Sequence, residues 1–462
     1  MLTYDLEERG QKPIYEYLYG KIREDIRIGE IRPMEKLPSK RRLAEHLGIS
    51  VITVQNAYEQ LLAEGYIVSR ERGGYFAADL GESVVEAMPR EKRNLVKSVS
   101  DREDAEIDLT SLSPDPSLFP FSVWSRLVRR VLAEQDKKLL ERVPAIGVEE
   151  LRRAISDHLW RTRGLAADPE CIVIGAGTEY LYNLLLQLLG RGRVFAIENP
   201  GYRKLAQILA RCEVPYIPVD LDECGMKPDV SGADVIHVSP SHHFPTGIVM
   251  PAPRRRELLK AADAAGGYII EDDYDSEFRF EGRMPQTLFS EDVAERVIYI
   301  NTFAETISPS LRISYMILPS DLMKKFRKEM SFYSCTVPSF EQYTLAAFLS
   351  ESYFEKHVNR MRLSFKQKRS EIVQAARGFS CLSVDSPAIG MNLLFRFSSE
   401  KSDAEIKREL LRRGVKMNFV SDYLYRENGK YNGMAIVNFA RADKESILKG
   451  AEILESVAFC GN

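Results

Sequence analysis

Several common routes to function are missing from this sequence. No apolar run in the 462 residues approaches the roughly 20 needed to span a bilayer, so a helical membrane protein is excluded. Met1 to Gly10 is charged and lacks the apolar core of a signal peptide. The six cysteines (Cys171, Cys212, Cys224, Cys335, Cys381 and Cys460) have neither metal-ligand nor disulfide spacing, so a reducing cytoplasm is the expected compartment and no metal site is expected. The net charge is only −3, so the whole-chain charge points to neither nucleic acid nor membrane. Repeats and low-complexity tracts are also absent. What remains is 44% hydrophobic and 28% charged, the balance of a soluble globular chain, and its length calls for two or three domains.

The first 78 residues read as three helices and a hairpin. Ile14, Tyr17, Leu18, Ile22 and Ile26 are apolar at helical spacing before Gly29. Ser39 is placed to cap a second helix ending at Gly48, and Ser50 a third that runs to about Glu64. On the third helix Val54, Ala57, Tyr58 and Leu61 form the core face, leaving Thr53, Asn56 and Gln60 exposed. Tyr66 to Arg70 and Tyr75 to Ala77 alternate around Arg72-Gly73-Gly74, a hairpin with a glycine turn. This is the layout of a winged helix-turn-helix. Leu37-Pro38-Ser39-Lys40-Arg41-Arg42-Leu43-Ala44, Leu47-Gly48-Ile49-Ser50 and Ala63-Glu64-Gly65-Tyr66 resemble the GntR-type DNA-binding domain. The resemblance implies double-stranded DNA contacts from Ser39, Lys40, Arg41, Ser50, Thr53, Asn56 and the wing at Gly73 and Gly74. Val51 stands where such domains often carry arginine. Electrostatics alone would not reveal this, because residues 1–78 carry twelve basic and twelve acidic side chains. Only Lys36, Lys40, Arg41 and Arg42 cluster, as a solvated helix face or as a phosphate contact.

Residues 79–106 are charged with few large apolar side chains, and read either as a flexible connector or as a surface helix. From 107 to 462 a loop-like segment (Ile107 to Pro120) and two helical patterns precede short apolar strands alternating with helices: Cys171–Ile174, Val194–Ile197, Val235–Val238, Tyr268–Glu271, Val297–Ile300 and Tyr315–Leu318. That alternation predicts an α/β fold with a mostly parallel sheet. Ligands bind such sheets at the strands' carboxyl ends, so the residues just after each strand matter most. They are Gly175-Ala176-Gly177-Thr178-Glu179, Glu198-Asn199-Pro200-Gly201-Tyr202, Ser239-Pro240-Ser241-His242-His243, Glu271-Asp272-Asp273-Tyr274 and Asn301-Thr302-Phe303-Ala304-Glu305 through Arg312. The glycine loop opening a helix is a weak phosphate signal on its own.

Together and in order these segments resemble the aminotransferase-like large and small domains of fold-type-I pyridoxal 5′-phosphate (PLP) proteins. Joined to the GntR-type head, they resemble the MocR/GabR group of transcriptional regulators. The resemblance implies a homodimer, a DNA operator and a small-molecule effector. It assigns Gly177, Thr178, Thr302 and Arg312 to a phosphate cradle and Asp272 to the pyridine nitrogen. Tyr274 falls to the ring hydroxyl and Tyr202 to a stacking ring. Two positions depart from the pattern. Glu305 stands where the Schiff-base lysine belongs, and no lysine lies between 301 and 323. Ile436 stands where aminotransferases carry the arginine that clamps a substrate carboxylate. Without that lysine there is neither a covalent link nor a proton shuttle, so transamination is not expected and PLP, if bound, is held non-covalently. Glu305 is expected either to add negative charge suited to an amine-bearing ligand or to form a salt bridge with an arginine such as Arg312. The competing readings are a PLP aminotransferase with a regulatory head, which needs a lysine from elsewhere, and a constitutive DNA-binding protein whose second domain only dimerises.

Overall fold

The computed structural model describes residues 2–80 apart from 72, and 105–459 apart from 112, 113, 136, 283, 388, 427 and 428. The chain divides into two compact units, Met1–Arg102 and Glu103–Asn462. Most of the connector expected at 79–106 lies outside the described residues, as do Arg72 of the wing turn and Cys460.

In the smaller unit α1 (Ile14–Ile28), α2 (Lys40–Leu47) and α3 (Val51–Ala63) precede a hairpin of β1 (Ile67–Arg70) and β2 (Gly74–Ala77). Ser39 Oγ accepts from Arg42 N and Ser50 Oγ from Thr53 N, so both expected caps are made. Val54, Ala57, Tyr58 and Leu61 are fully enclosed with Leu18, Ile22 and Leu43. Asn56 is exposed, but Thr53 and Gln60 are half-buried rather than open. Thr53 Oγ1 turns back to Ser50 Oγ at 2.8 Å, which accounts for part of the difference.

The larger unit opens with β3 (Ile107–Asp108), which is not loop: it pairs in parallel with β14 (Val415–Lys416). Helices α4 (Phe121–Glu134) and α5 (Glu149–Arg163) lead into an eight-stranded sheet. Its strands are β4 (Ile172–Gly175), β5 (Phe195–Asn199), β6 (Tyr216–Asp222), β7 (Gly225–Met226), β8 (Val235–Val238), β9 (Tyr268–Asp272), β10 (Val297–Thr302) and β11 (Ser314–Ile317). The order is β4-β11-β10-β9-β8-β5-β6-β7. Sequence periodicity missed β6 and β7 and gave no direction for β11, which runs antiparallel to both of its neighbours. The start of β11 therefore lies at the same edge as the ends of β4, β5, β8, β9 and β10.

Helices α6 (Thr178–Leu189), α7 (Arg203–Arg211), α8 (Ala252–Ala264), α9 (Leu288–Glu291) and α10 (Ser320–Met330) follow individual strands, and α11 (Ser339–Ser350) packs against α4 and α5. The long α12 (Tyr353–Ala376) leads to a second sheet of β12 (Ser383–Asp385), β13 (Asn392–Arg396), β16 (Met434–Asn438) and β15 (Asn418–Phe419), packed with α13 (Asp403–Arg412) and α14 (Lys444–Phe459). Strand alternation divides the large core. Ile174, Tyr299 and Tyr315 face α5 and α11, whereas Val173, Ile270, Ile298 and Ile300 face α6 and α10.

The alternation continues past the end of β9. Asp273 is held by Arg163 Nη2 at 2.9 Å, and it accepts from Tyr299 Oη at 2.7 Å and Ser276 Oγ at 2.9 Å. The pair is almost wholly buried, so losing the guanidinium strands a carboxylate away from water. Arg163→Met is expected to lower the unfolding free energy by roughly 3–5 kcal/mol. Adding Asp273→Asn should recover much of that in urea melts; equal losses in the single and double variants would refute the pairing as the cause.

Candidate functional site

Asp272 closes β9 on the face opposite Asp273, beneath α6. Tyr182, on that helix, donates to Asp272 Oδ2 at 2.9 Å. His237 Nε2 lies 2.7 Å from the same tyrosine oxygen. Burial pushes His237 down to about 3, so it is neutral and its single N–H serves Tyr182. The chain His237–Tyr182–Asp272 thus fixes one carboxylate oxygen. The other, Oδ1, is enclosed and has no hydrogen-bond partner. Burial raises the Asp272 carboxyl to about 7, with the Tyr182 bond opposing. Sequence reasoning found Asp272 but neither of its supports. The available signal was His237, a lone polar residue in the apolar strand Val235–Val238.

Tyr274 follows two residues on. Its hydroxyl is 3.2 Å from His242 Nδ1, which lies closer to both oxygens of Asp275, at 2.9 and 3.0 Å. The histidine proton goes to the carboxylate, which leaves the Tyr274 O–H without a strong acceptor. Burial raises this phenol well above its ordinary value, so it remains a donor. His243 takes a structural place: its Nε2 is 3.1 Å from Pro200 O and its Nδ1 2.8 Å from Thr246 Oγ1. Glu198 on β5 accepts from Ser239 N at 3.1 Å, yet its Oε1 is unpartnered and burial lifts it to about 8.

Gly177 caps α6 with φ +96°, and Thr178 is the first residue of that helix. A Cβ on Gly177 would meet Arg312 Nη2 at 2.3 Å, so the glycine makes room for the guanidinium. Arg312 itself has φ +49° and sits just before β11 begins. It donates to Glu179 Oε2 at 2.9 Å and to Ala176 O at 3.3 Å. Thr302 is buried, and its Oγ1 accepts from Ser314 Oγ at 2.8 Å and Ala304 N at 3.2 Å. Tyr202 is half-buried at the start of α7.

Glu305 corrects two expectations. Among the described residues Arg312 pairs with Glu179 and not with Glu305. Nor does Glu305 bring a negative charge at neutral pH: burial first, and then the Asp275 carboxylate, push it up to about 8, with Lys204 opposing. The residue as a whole is half-buried, but its Oε2 is enclosed and unpartnered. Ile436 pairs with Leu394 and Asn418 across its sheet, and packs with Leu394, Val420 and Met434 beside Phe244 and Tyr423. A cavity of about 550 Å³ lies on the other face of the sheet, lined by Arg163, Tyr299, Asn301 and Arg362, and contains none of these residues.

The residues present fit a phosphorylated pyridine ring. Asp272 Oδ1 is an orphaned acceptor for a ring N–H, Tyr274 is a donor, and the missing Cβ of Gly177 opens the helix terminus beside Arg312.

The DNA-facing candidates of the smaller unit divide by exposure. Ser39, Arg41, Ser50, Asn56 and Gly74 are exposed, while Lys40, Thr53 and Gly73 are half-buried. The Lys40 ammonium sits 5.8 Å from the Tyr75 ring centre, and Lys36 and Arg70 lie over Phe76. Arg70 thus extends the basic cluster onto the wing, which its position in sequence did not reveal.

Comparisons with known proteins agree with this geometry. The family described as aminotransferase class I and II matches residues 113–431, and that described as bacterial regulatory proteins, gntR family, matches residues 14–76. The chain is 38% identical over 370 residues to the uncharacterized HTH-type transcriptional regulator YdeL of Bacillus subtilis, covering 79% of each chain. It is 31% identical over 469 residues to the probable rhizopine catabolism regulatory protein MocR of Rhizobium meliloti, covering 98% of this chain and 95% of that one. Among solved structures, an archaeal alanine:glyoxylate aminotransferase superposes with a TM-score of 0.69 at 27% identity, over 77% of this chain and 91% of that one.

The charge state of Glu305 can be checked through stability. Between about pH 4.5 and 8 the folded chain keeps a proton on Glu305 that the unfolded chain releases, so this group's cost grows with pH and levels off above about 8. Glu305→Gln carries no such cost. The melting-temperature difference, variant minus parent, is expected to rise across that window and then stay flat. A difference independent of pH would mean that Glu305 is ionised in the folded protein.

Proposed function

The chain belongs to the MocR-type transcriptional regulators, DNA-binding proteins that join a GntR head to an aminotransferase-like domain, and from that premise we propose that its larger unit senses a PLP-class ligand without turning it over. The observation that carries this reading is the pairing of an orphaned Asp272 oxygen with a glutamate at the lysine position. In this reading residues 1–78 are the head, 79–106 the connector and 107–462 the sensor.

Bound PLP supplies a ring nitrogen, a ring hydroxyl, an aldehyde and a dianionic phosphate. Asp272, braced by Tyr182 and His237, accepts the ring N–H. Titrating near 7, it would give up its own proton to solvent at little cost on accepting that N–H. Tyr274 donates to the ring hydroxyl, and Tyr202 covers the ring. The N–H groups at Gly177 and Thr178 and the Arg312 guanidinium hold the phosphate, which must compete with Glu179 for Arg312. Glu305 cannot form the covalent link, and nothing at 436 anchors a substrate carboxylate, so binding energy is available for sensing and not for chemistry. Lys204 is electrostatically close to Glu305, but its side chain is mostly exposed and paired with Glu179 at 3.1 Å. Occupancy then shifts DNA affinity, a coupling between two sites. The sensor is also the unit we assign to homodimerisation; Phe121, Leu140, Trp160 and Phe332 are large apolar side chains that it leaves mostly exposed. Among the described residues no helix is long and apolar enough to cross a membrane.

Ligand binding and DNA binding each test this. PLP is expected to raise the melting temperature of the full chain, and Asp272→Asn to weaken its binding roughly ten- to a hundredfold. Borohydride treatment of the mixture should leave no stoichiometric pyridoxyl adduct; one mapped to Lys204 or any other lysine would defeat the non-covalent reading. For the head, a duplex selected from random DNA by the full chain serves as the probe. Lys40→Ala with Arg41→Ala should weaken binding across sequences and flatten the salt dependence by about two phosphate contacts. An unchanged salt slope would remove these residues from the interface.

A further inference from the structure

The proposed ring site encloses more acid than the protein's own cations answer. Glu305 Oε2, Asp272 Oδ1 and Glu198 Oε1 are all buried and without hydrogen-bond partners. Asp272 has a natural occupant in the ring N–H; Glu305 has none in an aldehyde. Its carboxyl is electrostatically close to Tyr202 and Tyr274, the two aromatic residues assigned to the ring, and to Asp275 beyond β9 and Lys204 on α7. Lys204, the one cation in that set, is mostly exposed and committed to Glu179. An aldehyde offers neither a positive charge nor an N–H. A primary ammonium on the same carbon offers both, with three donors.

We propose that the sensor prefers the primary-amine form of the phosphorylated pyridine to the aldehyde form, and that Glu305 is the carboxylate that receives the ammonium. This rests on the reading that the site holds a phosphorylated pyridine. The amine belongs to that ring ligand and not to a separate amino acid, because an amino acid brings a carboxylate. The 436 position meets it with Ile436, Leu394, Val420 and Met434, an apolar cluster without a cation. In the free protein burial and Asp275 keep Glu305 protonated at neutral pH. When the ammonium arrives, the carboxyl gives its proton to solvent and the ammonium keeps its own. The balance is one proton released per ligand bound, with no bond made or broken to carbon.

Calorimetric titration of the full chain tests this at about pH 7.5, in two buffers of different ionisation heat. The ligands are pyridoxamine, pyridoxal and pyridoxine 5′-phosphates, which carry an amine, an aldehyde and an alcohol on the same carbon. The amine is expected to bind about ten- to a hundredfold tighter than either the aldehyde or the alcohol. It should also release close to one more proton. Glu305→Gln keeps the shape and a hydrogen-bond donor but loses the charge, and should bring the three affinities together. Equal affinities and equal proton release in the parent would overturn the proposal while leaving a vitamer sensor in place. A preference for the amine that survives Glu305→Gln would overturn the role of Glu305. Binding of none of the three would overturn both this proposal and the functional reading beneath it.

Discussion

Everything in the site hangs on the parity of one strand end. Successive side chains of a β-strand point to opposite faces, so Asp272 and Asp273, adjacent in the chain, cannot share an environment. Asp273 goes to the α5 side, where Arg163, Tyr299 and Ser276 hold it. Asp272 is thereby committed to the α6 side, where Tyr182 takes one oxygen and leaves the other open. A shift of register by one residue would exchange the two: Asp272 would meet the Arg163 guanidinium and Asp273 would meet Tyr182. The ion pair is thus less a source of net stability than a device that decides which aspartate is available.

The reversed strand β11 plays a comparable part. Parallel strands deliver their carboxyl ends to the site, and Thr302 and Asp272 arrive that way. Arg312 precedes its strand, so it reaches the same edge only because β11 runs the other way. Its backbone conformation, φ +49°, costs something for a residue with a side chain, and the absent side chain of Gly177 leaves space for the guanidinium. Near this cradle four buried groups are kept neutral by burial: His237 and His243 are pushed to about 3, Glu198 and Glu305 to about 8.

Much of this was legible in sequence, for identifiable reasons. The head was readable because caps, helical spacing and a glycine hairpin are local signals, and Ser39, Ser50 and the Val54–Leu61 face stand where those signals put them. Six strands of the large sheet were readable because buried parallel strands are continuous apolar runs. The strand β6 was not, because Tyr216–Asp222 mixes proline and aspartate into a mostly half-buried strand. The pairing of Ile107 with Val415, 308 positions apart, has no local signature. The direction of β11 is set by its connection and not by its composition. The state of Glu305 was misjudged for a different reason. A formal charge is a property of the letter, whereas a protonation state depends on the solvent that the fold removes, and on Glu179 having already taken Arg312.

The small apolar cluster around Ile436 sets that departure apart from the one at Glu305. Glu305 is a single side chain in a loop, and one codon change would restore a lysine there. Ile436 is different, because Leu394, Val420, Met434 and Tyr431 have closed over it to form a core of their own. An arginine at that place would enter hydrocarbon with no carboxylate waiting, at the cost of an uncompensated buried charge. The two departures therefore differ in how readily a substitution reverses them. One departure could be reversed by a single substitution, whereas the other is built into a packed core.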